Sequence, residues 1–136
     1  MTTFGAIGIA STGLTVYRKW LDAISDNLAN LDTVKPTSEA AYQAKYVEVS
    51  SMTAPDGSGS GTQVTGIALG SATGKLVYEP TNPLADKEGY VRYPDIDMAS
   101  QMTQLIMAQR GYQANAAVVD RAKDAYTAAL QIGRTA

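Results

Sequence analysis

The chain has 136 residues, with 11 basic and 13 acidic side chains, a formal charge of −2, and neither histidine nor cysteine. Near-balanced charge without clustered Lys and Arg excludes the electrostatic footprint of a nucleic-acid surface. The missing His and Cys exclude disulfides, thiol nucleophiles, the usual zinc ligand sets and every His-based triad.

The first charged residue is Arg18. Thr, Ser and Gly interrupt the uncharged start, and no basic region precedes an apolar run. It therefore predicts neither a cleavable secretory signal nor a bilayer span. A role outside the cytoplasm then requires another export route.

From about residue 5 to 31, Ile7, Leu14, Leu21 and Leu28 recur at every seventh position, with Ala10, Tyr17, Ile24 and Leu31 three places on. This a/d pattern predicts a helix with a narrow apolar seam. Gly5, Gly8 and Gly13 each weaken its early turns by about 1 kcal/mol relative to Ala. Asp26, Asn27, Asn30 and Asp32 crowd its end. Short polar side chains compete for backbone groups inside a helix. The cluster therefore predicts a helix terminus whose amides satisfy orphan backbone groups or reach a neighbouring chain.

Residues 34–95 change character. "YQAKYVEVS" (42–50) alternates like a half-exposed strand, and "DGSGSGT" (56–62) reads as a flexible loop. "VTGIALG" (64–70) and "KLVYE" (75–79) read as strands joined by a turn, and "TNPLADKEGYVRYP" (81–94) as a loop leading into a short strand. Such hairpins make a small β unit.

The last segment, from about Asp97 to Ile132, predicts a long helix with Asp97 as its cap and Gly133 just past its end. Met98, Met102, Leu105, Tyr112, Ala116, Val119, Tyr126 and Leu130 form its seam; Met107, Gly111, Ala114, Val118, Ala125 and Ile132 form a second stripe. An intramolecular helical hairpin satisfies the periodicity. Two stripes, together with many alanines that let backbones approach, favour packing among several chains. The fold class is thus α+β, with long N- and C-terminal helices pairing in coiled-coil fashion and a small β-hairpin-rich middle unit. The expected divisions are an assembly segment at 1–33, the β unit at 34–95 and an assembly helix at 96–136.

Chemistry finds little support. Asp95 and Asp97 form a pair of carboxylates, but acids beside a helix start commonly cap it. "ALGSATG" (68–74) leads into no helix and is not a phosphate loop. No cofactor, metal or small-molecule substrate is expected.

"SDNLANLDT" (25–33) and "GYQANAAVVDRAKDAYTAALQIGR" (111–134) resemble the terminal signatures of bacterial flagellar rod and hook proteins. "LVYEPTNPLADKEGYVRYPDIDM" (76–98) is similar to the proximal rod members of that family. One departure is "TVKPTSEAAY" (33–42), where a Thr-Pro-Glu-Gly-like turn is common; here the Pro is displaced and the glycine is gone.

The resemblance implies a structural subunit of the flagellar rod in the periplasm, exported through the flagellar type III apparatus. It implies assembly with itself and other rod subunits, without nucleic acid or direct membrane insertion. Of the seam residues, Ile7, Leu14, Tyr17, Leu21, Ile24, Leu28 and Leu31 with Met102, Leu105, Tyr112, Val119, Tyr126 and Leu130 would form the assembly interface, and the resemblance extends that role to Asn27 and Asn30. The competing reading is a soluble coiled-coil adaptor that binds one partner in a small closed oligomer.

Overall fold

The computed structural model describes residues 3–135. Its elements are α1 (Thr3–Ala29), β1 (Lys45–Thr53), β2 (Gly59–Leu69), β3 (Lys75–Tyr78), β4 (Tyr90–Tyr93) and α2 (Met98–Thr135). The two helices pair antiparallel and two small antiparallel sheets fill the middle, an α+β architecture.

The helices are long, 27 and 38 residues, or about 40 and 57 Å. Asp97 caps α2 as expected: its carboxylate accepts from the Ser100 amide at 2.9 Å, and its carbonyl accepts from the Gln101 amide at 3.0 Å. At the other end α2 passes through Gly133 to Thr135, so that glycine is a helical residue and not a terminator. The end of α1 explains its asparagines. Asn30 donates its side-chain amide to the Asp26 carbonyl at 2.8 Å and accepts from the Thr33 hydroxyl at 3.1 Å. The Asp26 carbonyl also takes the Asn30 backbone amide at 3.2 Å, so the side chain adds a second bond at the last turn. Leu31 lies in the turn just beyond α1.

Sheet pairing departs from the expected order. β2 pairs with β1, and β3 pairs with β4, so β2 and β3 belong to different sheets. The expected loop at 56–62 contracts to a tight turn in which the Ala54 amide bonds the Ser58 carbonyl at 2.8 Å. Gly57 supplies the positive φ, +82°, that this turn needs. Gly59–Thr62 are already in β2. A bulge places Glu48 opposite Gly66 but Val49 opposite Val64, skipping Thr65. That slip keeps Val64 on the same face as Ile67, against α1, where strict alternation would have turned it outward.

Arg92 ties the second sheet to the segment after α1. Its backbone exchanges two 2.9 Å hydrogen bonds with Lys35. Its guanidinium donates to the Thr37 carbonyl at 2.7 Å and also to the Thr73 carbonyl. The altered turn there is a Pro36–Glu39 turn closed by a 3.0 Å backbone bond. No non-glycine residue among those described has positive φ. This turn therefore needs no glycine.

Candidate assembly surfaces

The helix pair has a constant register. Gly13 faces Asn115, Tyr17 faces Gly111, and Asn27 bonds Gln101, so a step along α1 is matched by an equal step back along α2. Buried Ala10, Ile24 and Ala108 continue the same lines at three- and four-residue spacing. On α2 the side chains at this contact are small or carry amides. A Cβ on Gly111 would run into the Tyr17 ring, which itself stacks on Trp20 with centroids 6.1 Å apart. Asn115 donates to the Gly111 carbonyl at 2.9 Å and lies over Gly13.

The contact line of α2 therefore shares only Gly111 with the two apolar stripes expected from sequence. It runs between them, through Gln101, Ala108, Gly111 and Asn115. The larger side chains flank it. On one side Leu105 and Val119 are half-buried, while Met102, Tyr112, Tyr126 and Leu130 are exposed; on the other, Met107, Val118 and Ile132 are exposed. Continuing the register sets the first described turns of α1 beside residues near 122–125. Every residue from Lys123 to Gly133 is exposed, including Leu130 at 52%.

α1 divides its surface three ways. One line meets α2. A second meets the β1–β2 hairpin: Thr12 accepts from the Thr62 amide at 3.1 Å, and Val16, Tyr17 and Trp20 border a groove of about 360 Å³ with Val47 and Val49. The third holds Ile7, Leu14, Leu21 and Leu28, all half-buried. The heptad thus splits: Tyr17 and Ile24 lie on the line against α2, while the seventh-position row flanks it.

Asn27 lies away from the chain's surface, contrary to the inter-chain role its family signature suggested. It is 1% exposed. It donates to the Lys45 carbonyl at 3.0 Å and to Gln101 at 3.1 Å, and accepts from the Lys45 amide at 2.7 Å. All three bonds are internal and join α1, β1 and α2. Asn30 likewise spends its amide on the helix end. Sequence periodicity missed Gln101 and Asn115 because they interrupt the apolar pattern. The available signal was two amide residues, Asn27 and Gln101, near facing helix ends.

The ionisable groups serve the framework. Lys45 reaches Asp26 at 2.6 Å, and that hydrogen bond and charge raise the lysine's pKa. Asp95 pairs with Lys75 at 2.9 Å, while Asp97 caps α2, which separates the two carboxylates in role. Amide bonds from Tyr90 and Glu88, with the Thr37 hydroxyl, hold Asp86 below its ordinary carboxylate value, the Tyr90 bond most strongly. Tyr93 donates to Glu79 at 2.9 Å, which pushes its hydroxyl pKa up.

A helix pair whose α2 line is built of small and amide side chains, with rows of large apolar ones turned outward, defines a structural protein, one that offers packing surfaces. Residues 87–132 match the family described as flagellar basal body rod FlgEFG protein C-terminal. The chain is 36% identical over 134 residues to the flagellar basal-body rod protein FlgC of Escherichia coli O6:H1, covering 98% of this chain and 100% of the relative. The FlgC of Bacillus subtilis is 31% identical over 150 residues, with 98% and 100% covered. That of Borreliella burgdorferi is 32% identical over 149 residues, with 97% and 98% covered. The chain belongs to the FlgC family of flagellar basal-body rod proteins, a structural and not an enzymatic family.

Proposed function

We propose that the chain is a subunit of the proximal rod that polymerises through α1 and α2 into the periplasm-crossing shaft transmitting motor torque. It reaches that place unfolded, through the flagellar type III export apparatus, and meets copies of itself and other rod subunits there. The observation that carries this reading is the pair of apolar rows on α2. They flank the α1 contact and run on to Leu130, which is exposed and lies past the register of the described part of α1. One partner helix occupies the line between them and leaves both rows for neighbours.

The assembly surface on α1 is the row Ile7, Leu14, Leu21 and Leu28. On α2 it is Met102, Leu105, Tyr112, Val119, Tyr126 and Leu130. Tyr17, Ile24, Asn27 and Asn30 support that surface from within the subunit. Leu21→Asp and Leu28→Asp test the assignment. Each removes an apolar contact of about 1.5–3 kcal/mol and adds a charge at a site the assembly would bury. Cells carrying either variant are expected to be non-motile with rods absent, although the subunit is made. Normal motility from both would contradict the assignment.

A further inference from the structure

The open edge of β3 carries a feature that rod assembly through the helices does not use. Arg92 commits its amide and carbonyl to Lys35, and Tyr90 commits both of its own to Asp86. In an antiparallel ladder a residue's N–H and C=O point to the same side. Arg92 and Tyr90 therefore face away from β3, and their register partners Leu76 and Tyr78 face away from β4. The 2.8 Å bond from the Glu79 amide to Gly89 confirms that the odd-numbered residues of this strand face β4. Two adjacent outward N–H and C=O pairs are thus left on an edge whose side chains are apolar and exposed, Leu76 at 58% and Tyr78 at 62%. Such an edge is a template for another strand.

We infer that the occupant is β3 of a second copy, paired antiparallel about Val77 in a twofold dimer. The strand is complementary to itself in that register. Leu76 of each copy stands opposite Tyr78 of the other, so the outward donors and acceptors meet in two hydrogen-bonded pairs. Val77 meets Val77. Lys75 then stands opposite Glu79 at both ends, in the non-hydrogen-bonded positions where side chains come closest. Lys75 already touches Asp95, and Glu79 accepts one bond on each oxygen, from Tyr93 and Asn82. The ammonium keeps further donors and each carboxylate oxygen a further lone pair.

The resulting four-stranded sheet leaves no free β3 edge, so pairing stops at two copies. A rod grows by repeating a head-to-tail contact, and equivalent copies in it share no twofold axis. The dimer is accordingly a closed species of folded copies outside the rod, and it caps an edge that would otherwise invite open-ended association. It does not depend on the helix rows proposed above.

Sedimentation of the full chain up to about 100 µM tests the pairing. The wild-type chain is expected to shift toward twice the monomer mass with rising concentration. Leu76→Pro removes an outward donor together with the leucine side chain, at an edge position where proline is tolerated, and should leave a monomer. Lys75→Glu and Glu79→Lys should each be monomeric alone, because like charges then face each other. An equal mixture of the two should recover the dimer, since every facing pair is again opposite in sign. That recovery also shows that both variants are folded. Leu130→Asp should dimerise like the wild type, which separates this contact from rod assembly. A wild-type monomer throughout the range, a dimer that survives Leu76→Pro, or no recovery on mixing would each overturn the inference.

Discussion

The ring of Tyr17 lies directly over Gly111, closing the space where any other residue would place its Cβ. This contact fixes how closely α1 and α2 approach, and through their register it fixes which rows of α2 turn outward. Gly111→Ala should therefore destabilise the chain even though alanine favours a helix by about 1 kcal/mol. Overpacking against the ring should outweigh that gain and leave a net loss of about 1–2 kcal/mol in denaturant unfolding. In a Tyr17→Ala background the sign should reverse, because only the propensity gain remains. A stabilising Gly111→Ala in the otherwise unchanged chain would contradict the close approach.

Asn27→Ala should cost more than any surface change. It leaves the Lys45 amide and carbonyl and the Gln101 side chain without their partner. Unmade bonds at a buried site amount to a loss of about 2–4 kcal/mol. Chemical denaturation measures the loss, and amide exchange at Lys45 should accelerate with it. Unchanged exchange there would mean that Asn27 does not hold β1 to the helices.

The loop between β3 and β4 should loosen in acid. The Asp86 carboxylate is held below its ordinary value, chiefly by the Tyr90 amide, so the folded state favours the ionised form. Its contribution is full above the ordinary aspartate pKa of about 3.9 and fades as pH falls through the lower folded value. The stability difference between the wild type and Asp86→Ala should therefore shrink below about pH 4. A gap that stays constant to pH 2 would contradict the bonded carboxylate.

Much of this architecture was legible in the chain. A heptad marked α1 and apolar periodicity marked α2, the Asp97 cap marked the start of α2, and alternation found the β segments. The pairing of strands was not legible, because β2 and β3 both alternate, and the observed pairs involve a tight turn at Gly57 and the long-range Lys35–Arg92 bridge, which alternation does not show. Nor was the true helix contact. A hydrophobic period finds large apolar residues, whereas helices packed this closely meet through Gly13, Ala108 and Gly111. Asn27 looked like a surface signature because an amide's burial depends on partners far along the chain, here Lys45 and Gln101.

Removing residues 124–136 gives the most direct test of the central claim that the outward rows of α2 assemble the rod. The deletion spares the line against α1 from Gln101 to Asn115, reaches only the residues beside the first turn of α1, and takes away Tyr126, Leu130 and Ile132, all exposed on the subunit. Chain ends of this exposure ordinarily tolerate loss. The measurement is motility together with detection of the truncated subunit outside the cytoplasm. The predicted result is a subunit that is made and exported but not incorporated, in non-motile cells lacking complete rods. Full motility with the truncated subunit would contradict the claim.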